Sequence, residues 1–562
     1  MSDTAEASPV AAIKSQIDTL EARRRPWEPL WKDSMEFAQP TRLFDPRTAA
    51  LADKRPKSNF NNRAALAVTK SSAGFQGYTA NRRSQWARLQ FENISLNKEH
   101  GVSDWLELCE RRIYAVLSRR GYYESLGEFV PDGMVAGTAT QYIEEVASGV
   151  PGYMTRHPMA VWISENAYGE VDTVLEDVSM PMVAIKKRFG MSALPKRIKD
   201  NVNGDPYTWA TLRHLTRPFD PDLYQYSRRG FDTRMAYMSI WYDPEDEVIV
   251  DVGGYWEFPY AVWRYDKNPN EEYGRSPTHK CLGDILVANQ MTRARMKLGN
   301  YIADPAVIVD EGLEGQDTLL PGDRIYRDKK DDTIQDIQRG ANFPITFENE
   351  KYQNALIDEH YNIPLYEMLA QMERQMTARE VVERTGEKAA NLGPTTGRFE
   401  RDALQVGIRR TFNIMARGGQ LPAPPEAVRR AGRDAILKIE YQGMLAQLQQ
   451  RYYQTTGINA SMAFAGGVMQ LFPTSGDWVD PDNLMVEGLE ATGCPASIIR
   501  EKKDVEQLRI KRMEAEAAAA QQEQAAQQEQ AMIGNADKLG KKPEKGSPLQ
   551  GMAEAAAARA GA

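Results

Sequence analysis

The chain reads as a mixed α+β protein, mainly helical and built in several parts. Three observations predict this. A long amphipathic stretch, Thr278 to Asn300, and a second one, Phe347 to Asn362, bracket a short insert of strands and turns. A β-rich region with closely spaced aromatic residues precedes them, between Met235 and Tyr265. An Ala/Gln/Glu stretch with few apolar side chains, Asp504 to Met532, follows them.

Taken in order, Ala11 to Gln39 has helical spacing, with Trp27, Trp31, Met35 and Phe37 on the apolar side. Pro26 and Pro29 predict a kink inside it, and Pro40 ends it. A polar stretch from Asp45 to Asn62 leads to a helix of small residues, Ala64 to Ala80. Trp86, Leu89 and Phe91 predict a strand. Trp105 to Leu117 predicts an amphipathic helix with Leu106, Cys109, Ile113, Val116 and Leu117 at helical spacing. Strands are expected from Thr138 to Leu175, with a turn at Tyr168-Gly169-Glu170. Met180 to Phe189 predicts a helix closed by Gly190. Three runs, Met235–Tyr242, Val248–Val252 and Tyr255–Tyr265, predict an antiparallel meander, with a type I turn at Asp243-Pro244-Glu245-Asp246.

In the first long helix Cys281, Ile285, Ala288 and Met291 form the stripe. Arg293, Arg295 and Lys297 suit the negative end of its dipole. Ile363 to Met376, with Met368, Met372 and Met376 at four-residue spacing, predicts a core stripe or an adaptable contact loop. Thr377-Ala378-Arg379-Glu380 has capping-box spacing and opens a new helix. Asn391 to Gly397 is a break before a helix from Arg398 to Arg417, with Leu404, Ile408, Phe412 and Met415 on one face. Gly534 to Ala562 is expected to be disordered.

Composition narrows the function classes. With 70 Lys plus Arg against 78 Asp plus Glu, the formal charge is -8. That balance does not suit a protein gripping nucleic acid by neutralising phosphates. No run is long enough to span a membrane, and MSDTAEASPV has no secretory pattern, so no membrane partner and no signal are expected. Cys109, Cys281 and Cys494 lie far apart and predict reduced thiols in a cytosolically made protein. His100, His157, His214, His279 and His360 show no metal-ligand spacing, and no nucleophile elbow occurs. GNADKLGK, at Gly534 to Lys541, fails the phosphate-loop spacing and reads as linker. Acid pairs at Asp310-Glu311 and Asp328 to Asp332 are a weak basis for a metal-dependent DNA-processing enzyme, because Lys329 and Lys330 interrupt the second. No catalytic residue, cofactor or metal is expected.

Six segments, in the same order along most of the chain, then resemble one family. They are RRRPWEPLWKDSMEFAQP at Arg23, GEFVPDGMVAGTATQYIEE at Gly127 and ENAYGEVDTVLEDVSMPMVAIKKRFG at Glu165. YGRSPTHKCLGDI at Tyr273, MTAREVVERTGEKAANLGPTTGRFERD at Met376 and IEYQGMLAQLQ at Ile439 complete the set. They resemble the head-to-tail connecting (portal) proteins of short-tailed bacteriophages; the second is similar to that family's small-residue turn into a strand. The resemblance implies a portal fold of wing, two-helix stem, α/β clip and C-terminal crown or barrel. It implies a homo-oligomeric, dodecameric ring in the virion, at one capsid vertex. Double-stranded DNA, terminase, a tail adaptor, and the major capsid and scaffolding proteins are the implied partners.

On this template residues 1–276 are the N-terminal region and wing, 277–300 the first stem helix and 301–345 the clip. Residues 346–362 are the second stem helix, 363–376 a tunnel loop, 377–475 wing and crown helices, 476–533 the crown or barrel and 534–562 a tail. Gln371, Arg374 and Gln375 are candidates for facing DNA. Asp310, Glu311, Asp328, Lys329 and Lys330 are candidates for docking the adaptor. An internal head or scaffold protein is the alternative, disfavoured by the aromatic-rich strands.

Overall fold

Pro26 and Pro29 divide the first predicted helix as expected. In a computed structural model of the chain, α1 (Pro9–Arg24) and α2 (Glu28–Ala38) flank the break, and Pro40–Arg42 forms a short 3-10 turn. The structure describes residues 9–42, 58–227, 230–303, 307–308, 335–336, 343–372, 390–432, 435–443 and 445–446, with 480, 482–483 and parts of 504–559. The chain divides into two units, Met1–Tyr452 and Tyr453–Ala562.

Ile13, Ile17 and Leu20 of α1 fall one turn apart and are buried against Trp162, Leu175 and Leu215. Arg24 ends α1 fully buried. It donates to the Met159 and Val161 carbonyls at 3.0 Å, pairs with Glu28 at 2.8 Å and lies 3.7 Å from the Trp162 ring centre. The burial of a charge is tolerable because nearly every N–H has an acceptor.

α3 (Arg63–Thr79), β1 (Ala87–Phe91), a short α4 (Ile94–Asn97) and α5 (Val102–Arg119) follow. Leu106, Cys109, Ile113 and Leu117 are buried as their spacing predicts. The first departure is α6 (Tyr122–Ala136), which takes up most of the stretch read as a small-residue turn. Eleven of its fifteen residues are buried. A helix covered nearly all round has no polar face to mark it in the sequence. Only Gly137, at φ +79, makes the turn into the next strand.

Two antiparallel sheets follow. β2 (Thr138–Ala147) is central in a three-stranded sheet of order β3-β2-β9, with β3 (Val150–Arg156) and β9 (Tyr260–Arg264). The five-stranded sheet runs β4-β5-β6-β7-β8, comprising Val161–Glu165, Val171–Pro181, Trp209–Pro218, Tyr237–Asp243 and Val248–Tyr255. The predicted meander is therefore half right. β7 and β8 form the hairpin, with Asp243 Oδ1 accepting from the Glu245 and Asp246 amides. The third run breaks after Tyr255, where Pro259 cannot donate to a ladder, and β9 pairs with β2 in the other sheet. α7 (Met182–Phe189), closed by Gly190, agrees with expectation, while α8 (Lys196–Gly204), β6 and α9 (Pro221–Tyr224) were not anticipated.

The two long helices are α10 (Pro277–Ala303), about 40 Å long at 1.5 Å per residue, and α11 (Phe343–His360). Of the insert between them, Val307–Ile308 pairs antiparallel with Gln335–Asp336. Ile363–Met372, expected to begin a loop, is instead helix α12, with Leu365, Tyr366 and Leu369 buried in the main core. The predicted break at Asn391 to Gly397 is also helical. Gly393–Phe399, a π-turn Glu400–Leu404 and Gln405–Arg417 form one rod, because Pro394 sits in the first turn, where no amide partner is lost. Leu437–Tyr441, placed among helices, is a strand paired with β1. The Thr377 capping box lies outside the described residues.

In the second unit residues 504–515 are helical and almost entirely exposed. Pro548–Arg559, expected within a disordered tail, is also a helix, consistent with a proline start and a run of alanines.

Candidate functional site

The helix pair α10 and α11 is rooted in the core through backbone contacts. Gly137 and Gly274 pass so closely that a Cβ on either would lie 2.2 Å from the other's carbonyl oxygen. Just beyond, Ser276 Oγ donates to the Val135 carbonyl at 2.9 Å and Thr278 Oγ1 to that of Met134 at 2.7 Å. These are carbonyls in the last turn of α6, which have no partner within their own helix. Thr278 also shares a 2.5 Å hydrogen bond with Tyr361, at the end of α11. The start of one long helix and the end of the other therefore meet on α6.

From that root the two helices run antiparallel, since Asp284 faces His360 while Thr292 faces Glu350. The buried line on α10 is Cys281, Ile285, Ala288 and then Asn289 and Thr292, so polar groups occupy its far half. They form a clamp. Asn289 Oδ1 accepts from the Phe60 and Asn61 amides at 2.6 and 3.1 Å, and its Nδ2 donates to the Ser58 carbonyl at 2.8 Å. Asn61 Nδ2 donates to Thr292 at 3.0 Å and Asn354 at 3.3 Å. Thr292 donates to Glu350 Oε1 at 2.9 Å, and Arg295 pairs with Oε2 at 3.0 Å. Arg63 donates to Asp358 at 2.8 Å. Arg295 therefore serves a partner helix, two turns before α10 ends at Ala303, and does not serve the dipole.

Asn289→Ala is expected to lower stability by about 2–4 kcal/mol, since it leaves three backbone groups of residues 58–61 without partners. Hydrogen exchange at the Phe60 and Asn61 amides reads this directly, and unchanged protection would refute it.

His279 lies at the root. Its Nδ1 accepts from the Ser276 amide at 3.2 Å, and the His279 amide donates back to Ser276 Oγ at 2.9 Å. Burial, and then Arg275, push its pKa down to about 4. The unfolded chain takes a proton below about pH 6.5, which the folded protein refuses until about pH 4. Stability is thus full above pH 6.5 and falls between 6.5 and 4, by about 3 kcal/mol in all. His279→Asn should remove that slope; denaturation at pH 7.5 and pH 4.5 with equal slopes in both proteins would contradict it.

Outward, the pair exposes apolar side chains: Leu286, Val287 and Met296 on α10, Phe347 and Tyr352 on α11. Gln371 lies in the last turn of α12. Arg374, Gln375, Asp310, Glu311, Asp328, Lys329 and Lys330 lie outside the described residues.

One buried cluster has the layout of a hydrolytic triad. His214 Nε2 is 2.9 Å from Ser239 Oγ, and its Nδ1 is 3.2 Å from Glu176. All three are buried, and Tyr260 competes for Nδ1 at 3.0 Å. Glu176 is engaged by Arg156 at 2.7 Å. The cluster is a polar layer between the sheets, closed to any substrate. Among the described residues no group of His, Cys, Asp or Glu is placed to hold a metal, and no helix is long and apolar enough to cross a membrane.

The bacteriophage head to tail connecting protein family model matches residues 10–499. The portal protein of Salmonella phage epsilon15 is 25% identical over 519 residues, covering 90% of this chain and 92% of that one. The probable portal protein of Bordetella phage BPP-1 is 24% identical over 530 residues, covering 92% and 93%. A chain in the virion of a native gene transfer agent particle is similar at 11% identity and a TM-score of 0.33, over 77% of this chain and 91% of that one. The chain belongs to the bacteriophage head to tail connecting protein family, whose members are structural portal proteins and not enzymes.

Proposed function

We propose that copies of the chain close into a dodecameric ring at one capsid vertex. Double-stranded DNA passes through the ring during packaging and leaves through it on ejection. The observation that carries this reading is the rooted antiparallel pair α10 and α11. Its inner side is fixed by the polar clamp, while Leu286, Val287, Met296, Phe347 and Tyr352 face outward. Such side chains on a soluble subunit call for neighbours, and a repeated sideways contact that closes gives a ring.

In this reading 277–300 and 346–362 are the stem, and 301–345 the clip. Asp310, Glu311, Asp328, Lys329 and Lys330 are the candidates for docking a tail adaptor there. Residues 363–376 are the segment turned to DNA, with Gln371, Arg374 and Gln375 as its candidates. Residues 476–533 form the crown or barrel, terminase binds the ring from outside, and the major capsid and scaffolding proteins surround it. The net charge of -8 favours loose passage of DNA over tight binding. Electron microscopy of the purified protein should show rings with a central channel; only monomers and dimers under all conditions would overturn the reading.

A further inference from the structure

We propose that the lobe formed by α7 and α8 is a docking surface for an acidic polypeptide segment that also carries apolar side chains. The lobe has its own small core, in which Met182, Ile185 and Phe189 of α7 and Ile198 of α8 pack on Leu212 and Trp241. That core fixes the outer side. Tyr207 is 75% exposed, Trp209 66% and Val183 43%. The three are neighbours: the Met182 and Val183 amides donate to the Thr208 and Pro206 carbonyls at 2.9 Å, and Trp209 stands opposite Pro181 in the sheet. Asp205 holds the turn that presents them, accepting from the Tyr207 amide at 3.1 Å and from Thr208 Oγ1 at 2.9 Å. The aromatic pair is thus displayed on a fixed backbone.

The same segment is rich in positive charge. Between Met182 and Trp209 there are six basic residues and two acidic ones, a local balance of +4 in a chain of -8. Arg188 pairs with Glu144 and Arg197 with Asp243. Lys186 and Lys187 follow Val183 by three and four positions and share its helix face. Lys196 and Lys199 lie one turn apart on α8. Among the described residues none of these four lysines has an acid partner.

Exposed Trp and Tyr inside a polar rim are the composition of binding hot spots. Duplex DNA would satisfy the lysines but offers mainly phosphate and sugar, against which the aromatic surface gains little. A polypeptide with carboxylates beside apolar side chains satisfies both. The proposal uses the connector reading for the source of that segment, which is a protein of the head.

The test uses full-length wild-type protein, Lys186→Glu/Lys187→Glu and Trp209→Ser, each imaged for rings. The probes are the phage's own major capsid and scaffolding proteins, duplex DNA of three helical turns, and phosphatidylglycerol vesicles, added separately. The expected result is rings in all three preparations, with one head protein bound by wild type. Binding should weaken about ten-fold or more in each variant and also with added salt. The proposal is overturned if the variants bind that head protein as wild type does. It is also overturned if neither head protein binds, or if DNA or vesicles bind with the same dependence on Lys187 and Trp209. Loss of rings in the variants alone would overturn it in favour of a contact between copies. Absence of rings in wild type would overturn the connector reading and this inference together, and microscopy separates that failure from the others.

Discussion

Gly137→Ala is expected to abolish recovery of folded protein, or to cost roughly 4 kcal/mol or more. Two effects add. At φ +79 an alanine is strained by about 1–2 kcal/mol. Its Cβ would also lie 2.2 Å from the Gly274 oxygen and 2.7 Å from the Gly274 carbonyl carbon, both of them backbone. No side chain can swing away. The backbone itself is pinned, since the Tyr265 amide donates to the Gly137 carbonyl at 3.0 Å and the Gly274 amide to Thr138 Oγ1 at 2.8 Å. Relief must shift either the end of α6 or the start of α10, so the damage reaches the helix pair. Gly127→Ala is the control. It lies within α6, and its added Cβ would meet Gln76 at an ordinary 3.8 Å. Replacing that helical glycine should stabilise by about 0.5–1 kcal/mol. Denaturant unfolding and microscopy on both variants decide the matter, and a Gly137→Ala protein as stable as wild type would refute the account of the root.

The elements that were legible in the sequence are those whose pattern is set by one partner face. α5 showed its stripe because one side packs and the other meets water. The long helices were legible through length and spacing, which also located the candidate site. What was hidden follows from burial on several sides or from distant partners. α6 carries Gly127, Pro131 and Gly133, residues that signal a turn, yet it is a central helix enclosed by α3, β2 and β3. β6 places Arg213 and His214 at its middle, which spoils the apolar alternation, because His214 serves a buried polar layer while Arg213 pairs with Glu21 of α1. β9 was visible as a strand, but nothing local told which sheet it joins. The clamp was invisible for the same reason: Asn61 and Asn289 are 228 positions apart, and each looks like a surface residue until the fold brings them together.

That polar layer gives the second large effect. Glu176→Ala is expected to destabilise by about 3–5 kcal/mol at pH 8, because it leaves the Arg156 guanidinium without its carboxylate in a mostly buried site. The layer joins the sheets, with Glu176, His214 and Ser239 on β5, β6 and β7 and Arg156 and Tyr260 on β3 and β9. Burial alone would raise the Glu176 carboxyl, but Arg156 and His214 hold it below the ordinary range. Its contribution is therefore present above about pH 4.5 and lost as pH falls through the folded value. Burial holds the His214 imidazole below its ordinary 6.5, outweighing Glu176. The unfolded chain protonates first, so stability also falls with pH from about 6.5 downward. Both groups weaken the junction in acid. Glu176→Ala removes the carboxylate's share of that slope and leaves the histidine's, which extends further down once its acid partner is gone. Glu176→Gln keeps the shape without the charge and should fall between. Unfolding free energies at pH 8, 6 and 4 separate the two contributions. An alanine variant within about 1 kcal/mol of wild type at pH 8 would mean that the sheets are held by their apolar contacts and not by this layer.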